Sequence, residues 1–369
     1  ITKEKNEVTD QSNLINGILL FISGFSLVAF FFWQCYQWMY LTILNPASEH
    51  GEQVARLWDT TMGIIVLVFL ILTPLLFSFA LFFRGRDGNK ASYITHNNKL
   101  EVFWTAIPAV VLLGLIIYGL NVWGKIVNQD ISDAIVIEVY AQQFNWTARY
   151  AGEDNKLGDA NVRFVGGKNI LGVISETTKE HQINLINDKI EKINQEIELT
   201  NNPAEKELKL QRIKKEEDKR KRLNTYFLVT SETQLQAAED DIITKEIHLP
   251  VGKKILFKFR SQDIIHSAYI PDMYVQMNCV PGTVTQFAFT PTITTEDMRK
   301  KPEIIKKYQR INEIRIEKGE ESVEFDYTLL CNKICGNAHY NMQMKVIVES
   351  EEDYNKWLKS QTENQISNL

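Results

Sequence analysis

The chain has 369 residues, which at about 150 residues per domain predicts two or three folding units. Its 41 lysines and arginines against 46 aspartates and glutamates give a net charge of -5, which offers no basic excess for a phosphate backbone and excludes nucleic acid as an expected partner. Four cysteines are too few for a disulfide-rich scaffold, so cysteines close together in the sequence need another explanation.

Three apolar blocks dominate the first third of the chain, at about residues 14–33, 61–83 and 102–123. None contains Lys, Arg, Asp or Glu, and each is long enough to cross a hydrocarbon layer of about 30 Å as a helix. The first block could instead be a signal-like segment, but its length and the aromatic cluster after it favour a spanning helix. Residues 1–130 are therefore predicted to form a membrane anchor.

The orientation of this anchor follows from the loops, because Lys and Arg accumulate on the cytoplasmic side. The first loop carries only Arg56 as a cation, whereas the second loop carries Arg84, Arg86, Lys90 and Lys99. The second loop and the N-terminus, with Lys3 and Lys5, are therefore predicted to be cytoplasmic. Residues 131–369 would then lie in the periplasm, outside a bacterial inner (plasma) membrane.

The outer part alternates apolar and polar residues in short runs that are typical of strands. Short strands without alternating helices predict an antiparallel sandwich or barrel. A short helix at residues 353–359, with Trp357 as its docking residue, is expected to close the domain. The predicted strands are residues 135–150, 246–259, 284–289, 324–330 and 345–348.

Two charged insertions interrupt these strands, at residues 168–242 and 292–322. The first contains five isoleucines at alternating spacings of three and four, which is the seam of a packed helix pair. A break at residues 200–203, with Pro203 suited to begin the next helix, predicts a helical hairpin rather than a single solvated helix. The second insertion is expected to be helical with a less regular seam. The five isoleucines are Ile183, Ile186, Ile190, Ile193 and Ile197.

A candidate metal site lies in one run near the C-terminus, where Cys331, Cys335, His339 and Met342 occur close together. Upstream, His266 is expected to close a strand and to offer a second imidazole. Thiolates, imidazoles and a thioether are soft or borderline ligands, which suit copper better than magnesium or calcium.

Three simpler interpretations of these residues remain open at this point. Cys331 and Cys335 could form a disulfide in an oxidising compartment, or both could join the two histidines in a structural zinc site. His266 could also be an ordinary histidine at a strand end. Met342 favours copper over zinc, because a thioether has no place in a zinc site.

The run CNKICGNAHYNM, residues 331–342, resembles the loop of subunit II of haem-copper cytochrome c oxidases that bears a dinuclear copper centre, CuA. Residues 101–108 resemble the second membrane helix of that family. The resemblance continues through residues 143–146, 266–271 and 280–282, and leaves out only the first apolar block and the two charged insertions.

This resemblance implies a cupredoxin-like Greek-key sandwich that holds two copper ions, with the two thiolates bridging them. The protein would accept electrons from a cytochrome c and pass them to a haem in subunit I, where oxygen is reduced to water. Haems and CuB are expected in that partner subunit of a proton-translocating complex. The implied copper ligands are the thiolates of Cys331 and Cys335, the imidazoles of His266 and His339, the thioether of Met342 and the backbone carbonyl of Lys333.

Three other classes of protein share parts of this pattern. Quinol oxidase subunits share the fold but lack the copper ligands, so the complete set here argues against one. A membrane-anchored copper-binding domain, or a CuA subunit of another respiratory complex, would keep the ligands. The helix motif at residues 101–108 argues against the former.

The sequence departs from the family pattern in three places. One is Cys279, where the family usually has no thiol, and it is expected to be a small buried residue rather than a ligand. Lys333 replaces a glutamate whose side chain helps to bind magnesium, so a magnesium site is doubtful here. Phe144 stands where electrons usually enter through a tryptophan, and Trp146 lies two residues further on. Glu101 would sit at the mouth of a proton path, or would simply mark a helix end.

The insertions carry mixed charges, which weaken the long-range attraction of a freely diffusing basic cytochrome. We therefore expect a cytochrome c donor that is tethered or held within a larger assembly, docked on the insertions, beside subunit I and other oxidase subunits.

Overall fold

The computed structural model describes residues 9–42, 45–93 and 95–368, and for residues 41 and 42 only the backbone. Lys3 and Lys5 lie outside the described residues. The chain divides into two compact units, of which one contains residues 1–45 and 52–128 and the other contains residues 46–51 and 129–369.

Three helices of the first unit are long and apolar enough to cross a membrane, which confirms the predicted anchor helices. They are α1 (Asp10–Thr42), α2 (Glu49–Phe82) and α3 (Asn98–Val127). Each helix also includes polar residues that flank its uncharged block, so it is longer than the block. The first apolar block is thus part of a continuous helix.

The second unit contains ten strands in the described part of the chain, arranged in two five-stranded sheets. The first sheet has the order β3-β2-β1-β5-β8 and the second has the order β4-β10-β9-β6-β7. The strands are β1 (Ile135–Gln142), β2 (Asn145–Tyr150), β3 (Ile242–Thr244), β4 (Ile247–Pro250), β5 (Ile255–Ser261), β6 (His266–Ile270), β7 (Val275–Cys279), β8 (Thr285–Phe289), β9 (Tyr327–Cys331) and β10 (Gln343–Glu349).

The sheets are mixed, and the prediction of a purely antiparallel sandwich is wrong in this respect. Strand β1 pairs with β5 in parallel, and β10 pairs with β4 in parallel. Long connections join the members of these pairs, so no tight turn forces the chain to reverse direction between them. Two predicted strands are each divided by a turn, at residues 143–144 and 251–254.

His266 begins β6, so the expectation that it closes a strand is also wrong. The Asp263 carboxylate accepts a hydrogen bond from the backbone N–H of Ile264 at 2.7 Å, and the Ser261 hydroxyl donates to the Ile264 carbonyl. These local bonds form a turn that ends β5 at Ser261 and allows a new strand to start at His266.

The main core lies between the two sheets and follows the two-residue period of the strands. On β1, Ile137 and Val139 are fully buried, and Phe257 and Phe259 of β5 lie beside them. Burial of each such side chain stabilises the fold by about 1.5–3 kcal/mol. The inner faces of the strands therefore hold the sandwich together.

The opposite face of β1 and β2 buries charges instead of apolar side chains. Arg149 Nε lies 2.7 Å from Glu138 Oε2, and Arg149 Nη1 lies 2.9 Å from Asp241 Oδ2. Arg260 pairs with the other oxygen of Glu138. Burial opposes ionisation of Glu138, but the two guanidinium groups outweigh it and lower the pKa of this carboxyl. Arg149 also donates to the Gly158 carbonyl, which ties the loop after β2 to the sheet.

The first insertion forms the predicted helical hairpin, with α4 (Glu176–Leu199) and α5 (Pro203–Val229), followed by α6 (Glu232–Glu239). Ile186 of the isoleucine seam and Leu223 of α5 are both 1% exposed and belong to one apolar cluster. The second arm therefore covers the seam. Near the break between the arms, Leu199, Leu208 and Leu210 are 86%, 52% and 54% exposed.

The remaining helices pack on the sandwich. The second insertion is helical as predicted, with α7 (Thr295–Arg299) and α8 (Pro302–Glu317), and Met298 and Ile304 are buried in the main core. Helix α9 (Glu351–Ser360) closes the domain, and the Trp357 indole stacks on the His248 ring with the ring centroids 4.0 Å apart.

Residues 46–51 form a strap that is part of the outer domain. The backbone N–H of Ala47 donates to the Asp272 carbonyl at 2.7 Å, and the Thr292 N–H donates to the Ala47 carbonyl at 2.9 Å. Ser48 is fully buried, and its hydroxyl donates to the Met273 carbonyl at 2.6 Å. The segment between α1 and α2 is thus fixed in the domain that follows α3.

Replacing Glu138 with Gln removes the carboxylate shared by Arg149 and Arg260. Because two buried guanidinium groups then lose this counter-charge, we expect the free energy of unfolding of the outer domain to fall by about 3–5 kcal/mol. Urea unfolding of the detergent-solubilised protein, followed by near-UV circular dichroism, measures this change. Glu324→Gln is the control, because its ion pair with Arg299 is solvent-exposed and should contribute little. Equal effects of the two substitutions would contradict the expectation.

Candidate metal centre

The predicted ligand residues of the outer domain meet at one end of the second sheet. His266 begins β6 and Cys331 ends β9, and these two strands are antiparallel neighbours in which Ala268 pairs with Cys331. The loop after Cys331 then returns to β10, which begins at Gln343. Ligands that are 65 residues apart in the sequence thus become neighbours because β6 and β9 pair.

The two cysteines are free thiols that lie side by side. The Sγ atoms of Cys331 and Cys335 are 3.7 Å apart, compared with about 2.05 Å in a disulfide. Cys331 is 8% exposed and Cys335 is 1% exposed. The disulfide interpretation does not fit this geometry.

Each thiol has one imidazole and one weaker donor beside it. His266 Nδ1 and the Lys333 carbonyl oxygen lie 3.8 Å and 3.2 Å from the Cys331 Sγ. His339 Nδ1 and Met342 Sδ each lie 3.7 Å from the Cys335 Sγ. The structure therefore places the other four predicted donors around the thiol pair. The thioether is an unsuitable zinc ligand, so this set fits copper better than a structural zinc ion.

The electrostatics of the thiol pair also suit a bound cation. Burial, together with the adjacent Cys331 thiol, raises the pKa of Cys335 to about 11. Two thiolates are therefore unfavourable side by side at neutral pH unless positive charge compensates them. A soft cation supplies that charge, and its affinity depends on deprotonation of the thiols.

Asp263 orients His266 and was not identified as a functional residue from the sequence. Its Oδ1 lies 2.9 Å from His266 Nε2, which leaves Nδ1 facing the Cys331 thiol. Partial burial opposes ionisation of Asp263, but hydrogen bonds from His266 and from the backbone of Gln143 and Ile264 lower its pKa. An aspartate three residues before a ligand histidine, across a turn, is the signal that could have identified it.

The turn between β1 and β2 packs on the ligand loop. Phe144 is half-buried. A Cβ atom added to Gly336 would lie 2.9 Å from the Cζ atom of Phe144. Gly336 has φ 132, a conformation that favours glycine, so the loop approaches this turn closely. Trp146 is 2% exposed, its Nε1 donates to the Met342 carbonyl at 3.4 Å, and its ring meets the His266 ring edge-on at 6.1 Å.

Five further residues lie beside the ligand residues or in the first unit. The side chain of Lys333 is exposed, as are Ile334 and Tyr340 beside the ligands. Cys279 is fully buried opposite His266 in β7, and burial raises the pKa of its thiol to about 12. Glu101 belongs to the other unit, in the first turn of α3, where its Oε1 accepts a hydrogen bond from the Asn97 N–H at 3.2 Å.

Several known proteins are similar to this chain. The alternative cytochrome c oxidase subunit 2 of Bradyrhizobium diazoefficiens is 25% identical over 281 residues, which are 76% of this chain and 69% of that protein. The cytochrome c oxidase subunit 2 of Thermostichus vulcanus is 21% identical over 323 residues, 85% of this chain and 76% of that protein. The solved periplasmic domain of subunit II of the cytochrome oxidase of Bradyrhizobium japonicum matches with a TM-score of 0.29 and 12% identity, and covers 62% of this chain and 94% of that one.

Two domain models of one family match the chain in the expected order. The transmembrane domain of cytochrome c oxidase subunit II matches residues 36–122, which include α2 and nearly all of α3. The periplasmic domain of the same subunit matches residues 214–298, which include strands β3 to β8 and the candidate ligand His266. With the relatives that extend across both regions, these matches place the chain in the cytochrome c oxidase subunit II family.

Proposed function

We propose that this protein is the copper-bearing subunit of a cytochrome c oxidase, which takes electrons from a cytochrome c at a two-copper CuA centre and delivers them to a haem in subunit I. The observation that carries this proposal is the gathering of two imidazoles, a thioether and a backbone carbonyl around one buried pair of thiols. When bound, copper supplies a one-electron acceptor and donor. Membership of the subunit II family supports the same conclusion.

The surrounding residues suit such a centre because they limit movement of the ligands. His266, Cys335 and Met342 are almost fully buried, so water is largely excluded from the donors. Asp263 fixes the ring of His266, and the paired strands β6 and β9 fix the two segments that carry ligands. Little structural change on gaining or losing an electron favours rapid transfer, and preorganised ligands provide this.

The alternative classes are less well supported. A quinol oxidase subunit would not need the complete donor set, and a copper carrier without an oxidase would not explain the family match over the membrane helices. Oxidase subunit I and other oxidase subunits are therefore the proposed partners in the membrane, and haems and CuB are expected in subunit I.

We further propose that the N-terminus is cytoplasmic and the outer domain periplasmic, in a bacterial inner membrane. The strap at residues 46–51 supports this orientation, because the segment between the first two spanning helices is folded into the outer domain. The cationic second loop agrees with it. Glu101, at the start of α3, would then be on the cytoplasmic side as a candidate entrance for protons.

For the electron donor, we propose a cytochrome c domain that is held beside this subunit. Phe144 is half-buried at the ligand loop, whereas Trp146 is almost fully buried. Phe144 is therefore the candidate through which electrons enter. The isoleucine seam is covered by α5, so the exposed leucines near the hairpin break are the better candidates for a docking contact.

Copper content tests the central proposal. We expect the purified protein to bind two copper ions per chain and to turn purple from thiolate-to-copper charge transfer. His339→Ala should abolish the mixed-valence signal in electron paramagnetic resonance and leave the far-UV circular dichroism unchanged. His96→Ala, in an exposed loop, should alter neither. One copper per chain, or zinc at saturation, would refute a CuA centre.

The metal content beside Lys333 tests whether the complex binds magnesium at this position. We expect it to pair with carboxylates of subunit I, so that the complex holds no divalent cation beside this residue. Elemental analysis or anomalous scattering of the complex checks this, and Lys333→Glu should gain a divalent cation. Lys359→Glu, at an exposed lysine position of α9 outside the ligand loop, should not. A divalent ion beside the wild-type Lys333 would show that the idea is wrong.

Turnover with the native donor tests the docking proposal. A held donor is delivered by effective concentration, so the rate should depend only weakly on ionic strength. Deleting residues 176–223, or changing Leu199, Leu208 and Leu210 to Ser, should leave the purple centre intact but weaken co-purification of the donor and slow turnover.

The control for the triple substitution is Leu228→Ser, which changes a leucine that is 82% exposed at the other end of α5. Unchanged co-purification and turnover in the deletion variant would refute the docking role. Full-rate oxidation of added soluble cytochrome c with a steep salt dependence would refute the held donor.

A further inference from the structure

The β1–β2 turn supplies no predicted ligand, yet one of its residues contacts both segments that do. The backbone N–H of Gln143 donates to Asp263 Oδ2 at 2.8 Å, and the other oxygen of that carboxylate holds His266 Nε2 at 2.9 Å. The side-chain amide of Gln143 donates to the Cys335 carbonyl at 2.5 Å. Gln143 is therefore hydrogen-bonded to the histidine segment on one side and to the thiol loop on the other.

Gln143 is an exposed residue, but its amide nitrogen lies against the ligand loop at Gly336. A Cβ atom added to Gly336 would lie 3.0 Å from Gln143 Nε2 and 2.9 Å from Phe144 Cζ. The loop that carries Cys335 is thus in close contact with the turn directly after its ligand residue. The carbonyl that accepts the amide hydrogen bond belongs to Cys335 itself, so this bond acts directly on the backbone of a ligand residue.

Among the described residues, few other hydrogen bonds join the thiol loop to the first sheet. Cys335 lies between strands β9 and β10, where the chain forms no sheet hydrogen bonds of its own. Trp146, from the same hairpin, reaches the far end of the loop at the Met342 carbonyl with a longer contact of 3.4 Å. The short bond from Gln143 fixes the middle of the loop.

We propose that Gln143 is a positioning residue that holds the Cys335 segment in register with His266, and so sets the relative placement of the thiol pair and the upstream imidazole. The geometric part of this inference concerns the apoprotein and is independent of the metal. Its consequence for a copper centre rests on the proposed function.

Thiol reactivity of the full-length apoprotein tests the geometric part. Gln143→Met keeps the side-chain length and the backbone N–H that Asp263 accepts, but removes the amide donor. Since a typical hydrogen bond contributes a modest free energy, we expect alkylation of Cys335 under reducing conditions to accelerate about 2- to 12-fold. Mass spectrometry of the individual peptides gives the rate for each cysteine.

The chain contains its own reference for global unfolding. Cys279 is fully buried at the end of β7, where it pairs with His266 in the sheet and lies outside the thiol loop, so its alkylation rate should stay at the wild-type value if only the loop is released. Gln142→Met, which changes the preceding glutamine in β1, should leave both rates unchanged. Gln143→Glu, which replaces the donor by a carboxylate facing a carbonyl, should accelerate Cys335 at least as much as Gln143→Met.

Three results would overturn the inference: wild-type reactivity of Cys335 in both Gln143 variants, equal acceleration of Cys335 and Cys279, or the same acceleration in Gln142→Met. In the copper-loaded protein, Gln143→Met should shift the charge-transfer band and release copper to a chelator faster than Gln142→Met. Identical bands and release rates in the two variants would overturn the positioning role at the metal. Wild-type protein that binds no copper would instead refute the proposed function, and the thiol measurement would still decide the role of Gln143.

Discussion

Two buried thiols 3.7 Å apart are the constraint on which the rest of the centre depends. Water does not solvate them, so their ionised forms are stable only beside positive charge, and the pKa of Cys335 is correspondingly high. The fold must keep the two sulfur atoms close together. It does so by placing one cysteine at the end of a central strand and the other in a loop that is packed against the opposite sheet.

The sandwich meets this requirement through contacts between segments that are distant in the sequence. Pairing of β6 with β9 brings His266 to the cysteines, and the Asp263 turn that starts β6 also orients the imidazole. A turn from the first sheet then contacts both segments. The ligand geometry is therefore a property of the packed sheets, and the ligand loop alone would not define it.

The insertions are attached to the sandwich without entering the ligand set. The first covers the outer face of β1 and β2, where the buried charges of Glu138, Arg149 and Asp241 fix the loop that leads into the hairpin. Replacing a whole buried ion pair by apolar residues is often neutral, whereas removing one partner leaves an uncompensated buried charge and is strongly destabilising. The hairpin itself is held by its own seam, so it can present an exposed end to a partner without disturbing the centre.

The sequence by itself determined the features that depend on local composition. Uncharged runs of about 20 residues predict membrane helices, and the three-four spacing of isoleucines predicts a helical partner. The residue types in the loop after Leu330 identify soft ligands. Strands that alternate over several residues were also predictable, although the turn inside residues 135–150 was not. The role of Gln143 could not be predicted, because it acts through hydrogen bonds to residues that sheet packing brings near. Asp263, three residues from His266, was within reach of a local pattern. Parallel pairing, the start of β6 at His266 and the burial of the 46–51 strap were likewise decided by tertiary structure, since no short-range pattern encodes which distant segment a strand will meet.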